Sequence, residues 1–330
     1  MKQGDTHLMS ITRRTVLASA VSMLAAPALA ESWPSQPLRL VVPYAPGGAT
    51  DSSARLIGER LSAALGQPVV IENKAGGATQ IGMDFVAKSK PDGYTLVVAP
   101  AAIAASVALG LKMPYDPQKD LVAIAQITDV PVLFIGNIDQ PFKNFPEFVA
   151  WAKVQDKPVP YGSSGPGSIP HLWGELMRGQ MGLRMEHLGY KGSADGLKDV
   201  LGGHIPVMSD ALLPSGAQIV AGKVRGLVVA SHQRVPMIPD VPTPSEVGLK
   251  DAEFAAFFGV MAPAGTPPEI VARLNREINL ALEQPALAKK ITDLGMVVTG
   301  GTPEAFAERI RRETERMRRI VVANNIKVSE

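Results

Sequence analysis

The feature that most constrains the fold of this chain is a repeated unit: a short apolar run, a loop containing glycine, and the start of a helix. In its first copy, Leu38–Val42 is the apolar run and residues 43–48 are the loop. Apolar residues then recur at helical spacing as far as Leu65, and Thr50 stands where a helix N-cap is expected. This order predicts a strand that leads through a glycine loop into a helix N-terminus.

The unit recurs along the chain. The tetrapeptide Gly-Gly-Ala-Thr occurs at 47–50 and again at 76–79, each time after a strand-like run. In the second half, residues 159–162 lead into the loop 163–168, where Ser168 is placed to cap the next helix. Alternating strands and helices predict an α/β architecture with mostly parallel sheets.

Two apolar segments divide this pattern into two blocks. Residues 121–135 are interpreted as two strands that cross from one lobe to the other, and residues 254–261 as the strand that returns the chain. We therefore predict two α/β lobes, one formed by 31–130 together with 254–330 and the other by 131–253. Ligands of open α/β sheets bind beyond the carboxyl ends of the strands, so the glycine loops are expected to line a cleft between the lobes.

The first thirty residues have the three parts of a secretory signal peptide. Arg13 and Arg14 precede an apolar run too short to span a bilayer, and residues 28–30 form a small-residue cleavage site. We expect cleavage after Ala30 and a free, exported protein. The paired arginines fit a twin-arginine signal and an ordinary Sec signal equally well.

Composition narrows the chemistry further. The sequence has no cysteine, which excludes disulfides, thiolate metal sites and cysteine nucleophiles. Its formal charge of +2 is carried by the leader, so the mature chain has no net attraction for nucleic acid. The arginines of residues 309–319 alternate with glutamates, and we interpret them as the solvated face of a long helix.

Common catalytic motifs are absent. Residues 162–166 place proline at the last position of a nucleophile elbow, the loop 165–167 lacks the third glycine of a dinucleotide fingerprint, and the histidines lack metal-ligand spacing. No cofactor or metal is expected. One enzyme hypothesis stays open, an exported hydrolase that uses Ser164 or Ser168 with His171.

The glycine loops are better suited to binding an anion. The first amides of a helix are unpaired and carry partial positive charge, and glycines allow a ligand to approach them. We therefore expect the loops 46–50 and 163–168 to hold one carboxylate between the lobes. Asp51 either accepts hydrogen bonds from first-turn amides or contacts the ligand. Tyr190 and Asp210 each follow a strand, so their side chains either reach the cleft or belong to ordinary turns.

Motifs spread over nearly the whole mature chain resemble those of one known family. The segments that carry the resemblance are 42–51, 72–74, 91–96, 161–165, 190–192, 239–243 and 263–267. In this order they resemble the periplasmic receptors of tripartite tricarboxylate transporters, the Bug or TctC-like solute-binding proteins. The chain departs from the family at Ala78 and Thr79, where glycines are common, and at Gly189, where proline is common.

The resemblance implies a Venus-flytrap fold of two α/β lobes and a receptor without enzymatic activity. It implies that a small carboxylate is held between the loops 44–51 and 162–168 and passed to membrane permease subunits; a monomer is expected. A ligand-binding partner of a membrane sensor is an open alternative. The residues predicted to bind the ligand are Tyr44, Ala45, Gly47, Gly48, Thr50, Asp51, Thr79, Ser163, Ser164, Gly165, Ser168, Tyr190 and Asp210.

Overall fold

The apolar runs of the sequence form strands in the computed structural model, which describes residues 33–326. The leader therefore lies outside the described residues. In chain order the strands are β1 (Leu38–Val42), β2 (Val69–Asn73), β3 (Thr95–Pro100), β4 (Leu121–Asn137), β5 (Val159–Ser163), β6 (Met185–Gly189), β7 (Val207–Ala211), β8 (Val224–Val229), β9 (Ala255–Pro263) and β10 (Val297–Val298).

Helices follow most of these strands, as the repeated unit predicts. Single 3-10 turns occur at Gly77–Thr79 and Ser245–Val247. The α-helices are α1 (Ala49–Leu65), α2 (Gln80–Ala87), α3 (Ala102–Ala108), α4 (Phe145–Lys153), α5 (Ile169–Met181), α6 (Ser193–Leu201), α7 (Leu212–Val220), α8 (Pro268–Leu282), α9 (Pro285–Asp293) and α10 (Pro303–Ala323).

The strands form two sheets that share β4. The hydrogen-bonded order is β2-β1-β3-β9-β4-β7-β5-β6, and β10 and β8 pair with β4 on its other side. The first part of β4 pairs with β9 and β10, and its last part pairs with β7 and β8. The change of partners falls at residues 131–132, where Pro131 pairs with Ala255 and Val132 with Ala211.

The register directs the parallel strands of the two sheets toward each other. β1, β2 and β3 are mutually parallel, and β3 is antiparallel to β9, which is antiparallel to β4. β5, β6 and β7 are also parallel, but β7 is antiparallel to β4. The carboxyl ends of both sets therefore point to the middle of β4 from opposite directions. The loops that follow β1 and β5 lie at these facing edges.

Two predictions about the sheets are corrected. Residues 121–135 belong to one strand rather than two, the 17-residue β4 (Leu121–Asn137), which is buried along nearly its whole length and remains paired on both sides of the crossing. The sheets are mixed rather than mostly parallel, since β4 pairs antiparallel with β7, β8, β9 and β10.

The two helix caps next to the loops differ. The prediction that Thr50 caps α1 is wrong: the N-cap is Gly48, which provides no side-chain hydrogen bond, and Thr50 lies in the first turn. The cap at Ser168 is confirmed, because its Oγ accepts a hydrogen bond from the His171 amide at 3.2 Å.

Aromatic side chains fill the core under the second sheet. Phe134, on β4, lies 5.4 to 6.1 Å, centroid to centroid, from the rings of Phe148, Tyr161 and Trp173. These four side chains are almost completely buried. Burial of such rings is the main contribution that a core of this kind makes to stability.

The long helix α10 packs against β4 and α3 and also contacts α5. The prediction that its arginines form a solvated face holds only in part. Arg311 and Arg318 are exposed and pair with glutamates one turn away, but the side chains of Arg309 and Arg316 are only 23% exposed. Within residues 33–326, no helix has both the length and the apolar character needed to cross a membrane.

Candidate ligand-binding site

The first loop is organised by the buried carboxylate of Asp51, which is only 3% exposed. Its Oδ2 accepts hydrogen bonds from the Gly47 amide and from Arg55 Nε, both at 2.9 Å. Its Oδ1 accepts from Asn73 Nδ2 at 2.9 Å and from a second nitrogen of Arg55. Burial alone would raise the pKa of Asp51, but these hydrogen bonds outweigh it and hold the pKa below its usual value.

Asp51 therefore holds the first loop from its buried side. It accepts the amide that precedes the helix rather than the first-turn amides considered from the sequence. Within the part of the chain that the structure describes, the amides of Gly48, Ala49, Thr50 and Asp51 have no hydrogen-bond acceptor. These four donors lie at the positive end of the 17-residue helix α1, which is the arrangement that binds anions.

The surface of the first loop is open. Residues 44–48 are exposed, with Tyr44 at 37% and Ala45 beside it. Gly47 has φ +91°, a conformation that glycine adopts without steric cost, and a Cβ at Gly47 or Gly48 would meet no atom within 4 Å. A ligand can therefore approach the start of α1 without meeting a side chain at Gly47 or Gly48.

Thr79 precedes α2 at the neighbouring strand end and is buried. Its φ of +82° is rare for a β-branched residue and costs of the order of 1 kcal/mol or more. The resemblance described above leads us to expect glycine at this position, and the backbone here has a conformation that glycine adopts without steric cost.

The second loop has most of its polar groups occupied by the protein itself. Ser163 is fully buried, and its Oγ lies 2.6 Å from His187 Nε2 and also accepts the Gly165 amide. The Gly167 amide donates to His171 Nδ1 at 2.9 Å. Ser164 is half-buried, and within residues 33–326 neither its hydroxyl nor its amide has a hydrogen-bond partner.

Two stacked histidines support the second loop. The rings of His171 and His187 lie 3.7 Å apart, centroid to centroid, at an angle of 14°. Burial lowers the pKa of both, and for His187 the neighbouring His171 lowers it further, to about 4. Both rings are therefore neutral near pH 7, which His171 requires in order to accept the Gly167 amide through Nδ1.

A buried hydrogen-bond chain lies next to this pair. Tyr161 Oη donates to Glu175 Oε1 at 2.6 Å, and Arg178 donates to the other carboxylate oxygen of Glu175 at 2.9 Å. Burial and the Glu175 carboxylate raise the pKa of Tyr161 well above its usual value. These hydrogen bonds fix the middle of α5 against β5.

Two predicted site residues have their polar groups directed into the protein. Asp210 lies in β7 with no exposed surface, and it accepts hydrogen bonds from Ser193 and Ser215 at 2.6 Å. Burial raises its pKa. Tyr190 donates through Oη to Asp199 at 2.6 Å, and its pKa rises to about 12 because of burial and this hydrogen bond. Contact of either residue with a ligand stays a prediction.

The strand register brings the two glycine loops to facing edges of the sheets. Asp210 instead lies within β7, before the carboxyl end of that strand. The sequence reasoning missed the residues that hold the loops: Arg55, Asn73 and His187. Arg55 had a readable signal, since it stands one helical turn after Asp51. Within residues 33–326, no three His, Asp or Glu side chains are placed to hold a metal ion.

Two α/β halves joined through a shared strand, with strand ends facing across a cleft, define the fold of the periplasmic binding proteins. The chain belongs to the tripartite tricarboxylate transporter family receptors, the TctC family, whose model matches residues 53–326. BugT of Bordetella pertussis is 34% identical over 304 residues, covering 92% of this chain and 93% of BugT.

Solved structures of the same kind cover nearly the whole described chain. An R. palustris protein with adipate is 34% identical, with a TM-score of 0.82, over 89% of this chain and 99% of that one. MatC from Rhodopseudomonas palustris with bound malate is 33% identical, with a TM-score of 0.77, over 88% of this chain and 100% of MatC. The family and these neighbours are binding proteins.

Proposed function

We propose that this chain is a periplasmic receptor that captures a small carboxylate between two lobes. The observation that carries the proposal is the row of four amides without acceptors at the start of α1, on the edge that faces the second glycine loop. Oriented amides at a helix N-terminus bind a carboxylate without a basic side chain. The adipate and malate bound by the two structural neighbours support this ligand class.

The two loops contribute different groups to the proposed site. The first loop supplies the amides from Gly48 to Asp51, and Thr50 and Gly47 shape it. The second loop supplies Ser164, whose hydroxyl and amide have no partner in residues 33–326. The amides of Gly165 and Gly167 are not available to a ligand, because they already donate to Ser163 and His171. Ser163 and Ser168 act indirectly, by fixing the loop around Ser164.

We further propose lobe boundaries at 130/131 and 253/254, next to the point where β4 changes partners. Closure of the lobes would exclude water and strengthen the contacts of each loop with the bound anion. Family membership supports delivery of the ligand to the permease subunits of a tripartite transporter and export by the predicted leader. The alternative is a protein that binds the same ligand and docks on a membrane sensor. Genes for membrane transporter subunits next to the gene of this protein would favour transport over sensing.

The hydrolase alternative finds little support in the geometry. His171 Nδ1 already accepts the Gly167 amide, and within residues 33–326 His171 makes no hydrogen bond with the Ser164 hydroxyl. Within residues 33–326, the serine hydroxyl that contacts a nitrogen of a histidine ring is that of Ser163, whose side chain is fully buried. We propose a binding protein that does not turn over its ligand, and assays for loss of ester or amide substrates test this.

The first experiment is calorimetry and thermal unfolding of the mature protein with malate, adipate and a neutral diol of similar length. A ligand at a hundred times its dissociation constant stabilises the folded state by about 2.7 kcal/mol. We expect at least one carboxylate to bind and the diol to have no effect. Failure of a wider panel of carboxylates, including tricarboxylates and aromatic acids, would contradict the proposal.

A single substitution can delete one of the proposed backbone donors. Ala49 is the first residue of α1, a position that tolerates proline, and the extended backbone of Gly48 suits a residue before proline. Ala49→Pro removes one N–H and is expected to weaken carboxylate binding about tenfold or more, with little change in unfolding free energy. Ala49→Val keeps the N–H at similar bulk and should bind like the parent; equal affinities in both variants would exclude this amide as a contact.

A further inference from the structure

A second cavity lies where the chain passes between the two sheets, and none of the predicted ligand-binding residues lines it. Its volume is about 860 Å³, within the range of small-molecule sites. Its walls come from the middle of β4, the segment 230–236 after β8, the start of β9, the turn before β10, and α10. We call this cavity the crossing groove.

One face of α10 brings a row of arginines into the crossing groove. Arg309, Arg312, Arg316 and Arg319 recur every three or four residues and all line the cavity, with Glu313 as the one acidic residue that α10 adds to the lining. The Glu313 side chain is 5% exposed and lies 3.4 to 3.9 Å from nitrogens of the first three arginines. One carboxylate is therefore shared among three guanidinium groups.

The carboxylates of Asp251 and Glu253 also line the cavity and act on Arg316, but three arginines of the row keep nitrogens without a close partner. Nε of Arg309 is buried without a hydrogen-bond partner in residues 33–326, since the nearest carboxylates lie outside hydrogen-bond geometry. Arg312 is 59% exposed and has only the 3.9 Å contact with Glu313. No hydrogen bond or ion pair is found for Arg319 among the described residues.

The remaining walls combine acidic and apolar groups. Arg316 is committed, because it donates to the Asp251 carbonyl at 2.6 Å and lies 4.9 Å over the Phe254 ring. Asp129 is 3.7 Å from Arg309, and burial raises the pKa of its carboxyl. Pro131, Val235 and other apolar side chains complete the lining.

From this geometry we infer that the crossing groove is a second ligand site, which takes an amphipathic organic anion. The anionic group pairs with Arg312 and Arg319 at the groove mouth, and the apolar body lies against Phe254, Pro131 and Val235. The crossing groove is separate from the proposed carboxylate site, because none of the residues predicted to bind the carboxylate lines it.

The test uses two fluorescent probes of the same shape, anilinonaphthalenesulfonate and its uncharged analogue N-phenylnaphthylamine. Both are titrated at low salt into the mature protein, the double variant Arg312→Gln/Arg319→Gln, and the matched control Arg311→Gln/Arg318→Gln. The control removes the same charge from the solvated face of the same helix. Ala49→Pro is included because loss of the carboxylate site should leave probe binding unchanged.

We expect saturable binding of the anionic probe that weakens about five- to tenfold in Arg312→Gln/Arg319→Gln and changes less than about twofold in the control. The uncharged probe should bind all proteins alike. Equal affinity of the anionic probe for all variants would overturn the assignment. So would an equal loss of both probes in the groove variant, which would mean that the apolar wall had collapsed.

Discussion

The two glycine loops have the same strand–loop–helix arrangement but differ in how their helix caps and backbone amides are hydrogen-bonded. The first has a glycine cap without a side-chain hydrogen bond, exposed residues, and four amides left without acceptors. The second has a serine cap, and its amides at Gly165 and Gly167 are bound by Ser163 and His171. The first loop thus has free donors for a ligand. The second loop is held by hydrogen bonds within the protein and leaves only Ser164 available.

This difference shows that a glycine loop before a helix is not by itself an anion site. What decides is where the amides already donate, and that depends on side chains from other elements. In the first loop Asp51 takes only the amide behind the helix, which leaves those of the first turn free. In the second, two histidines and a serine use up most of the donors.

The largest expected effect comes from removing the support of the first loop. Asp51→Ala leaves the Gly47 amide and the Asn73 amide group without their buried acceptor and is expected to lower the free energy of unfolding by about 2–3 kcal/mol. Asp51→Asn keeps the shape and part of the bonding, so its loss should be about half as large. Urea unfolding measures both, and identical losses would mean that the charge of Asp51 accounts for its whole contribution and that the bonding kept by asparagine adds nothing.

The next effect is specific to the second loop and depends on pH. His187 titrates near 6.5 when unfolded and near 4 when folded, so between these values only the unfolded state binds the proton. Its contribution to stability is complete above pH 6.5, declines as the pH falls, and is lost below pH 4. His171 shifts in the same direction.

For a partly exposed ring we expect a loss of about 1–2 kcal/mol after solvent screening. Urea unfolding at pH 7 and pH 4.5 should show a smaller drop in His187→Gln than in the parent protein. The exposed His232 provides the control, since His232→Gln should retain the parental drop. An unchanged drop in His187→Gln would contradict the neutral histidine pair.

A smaller effect is expected at the helix caps. Ser168→Ala removes the cap of α5 and should cost about 1 kcal/mol, as should Thr302→Ala at the equivalent cap of α10. Only the first variant should also weaken carboxylate binding, because only Ser168 belongs to a candidate ligand loop. If both variants bind the carboxylate normally, the second loop does not depend on its cap.

The smallest effect comes from giving the first loop the cap that the second has. Gly48 has φ −84° and ψ 177°, which suit a serine cap, and its Cβ would meet no neighbour within 4 Å. Gly48→Ser should raise the free energy of unfolding by a few tenths of a kcal/mol. It should also weaken carboxylate binding, because the new hydroxyl accepts a first-turn amide. Unchanged binding would indicate that the anion is held elsewhere.

Much of the fold could be predicted from the repeated unit. The apolar runs fix strand positions, and glycine, serine and proline fix where helices begin, as at Ser168 and α5. The single strand β4 could not be predicted, because a strand buried on both faces has no alternating pattern to show where it begins or ends. The short helix α3 was missed since its alanine-rich sequence carries no amphipathic pattern.

The candidate site was predictable in outline and not in its bonding. Both loops follow from local sequence, and the Asp51–Arg55 pair follows from helical spacing. The contact between Ser163 and His187 depends on β5 pairing with β6 so that Tyr161 lies opposite His187. A separation of 24 residues gives no indication of that register, so the loss of free amides in the second loop could be found only in three dimensions.

The shared strand β4 also determines how the molecule can move. β4 passes from one sheet to the other as a single paired strand. Any rotation between the halves would therefore bend and twist this strand along its length. Its pairing shifts near Ala123, Gln126 and Phe134, on both sides of Pro131, are points where the hydrogen-bond ladder is already irregular. On the function proposed above, such a joint would act as an elastic flexure whose restoring force returns the empty receptor to one preferred opening after each release.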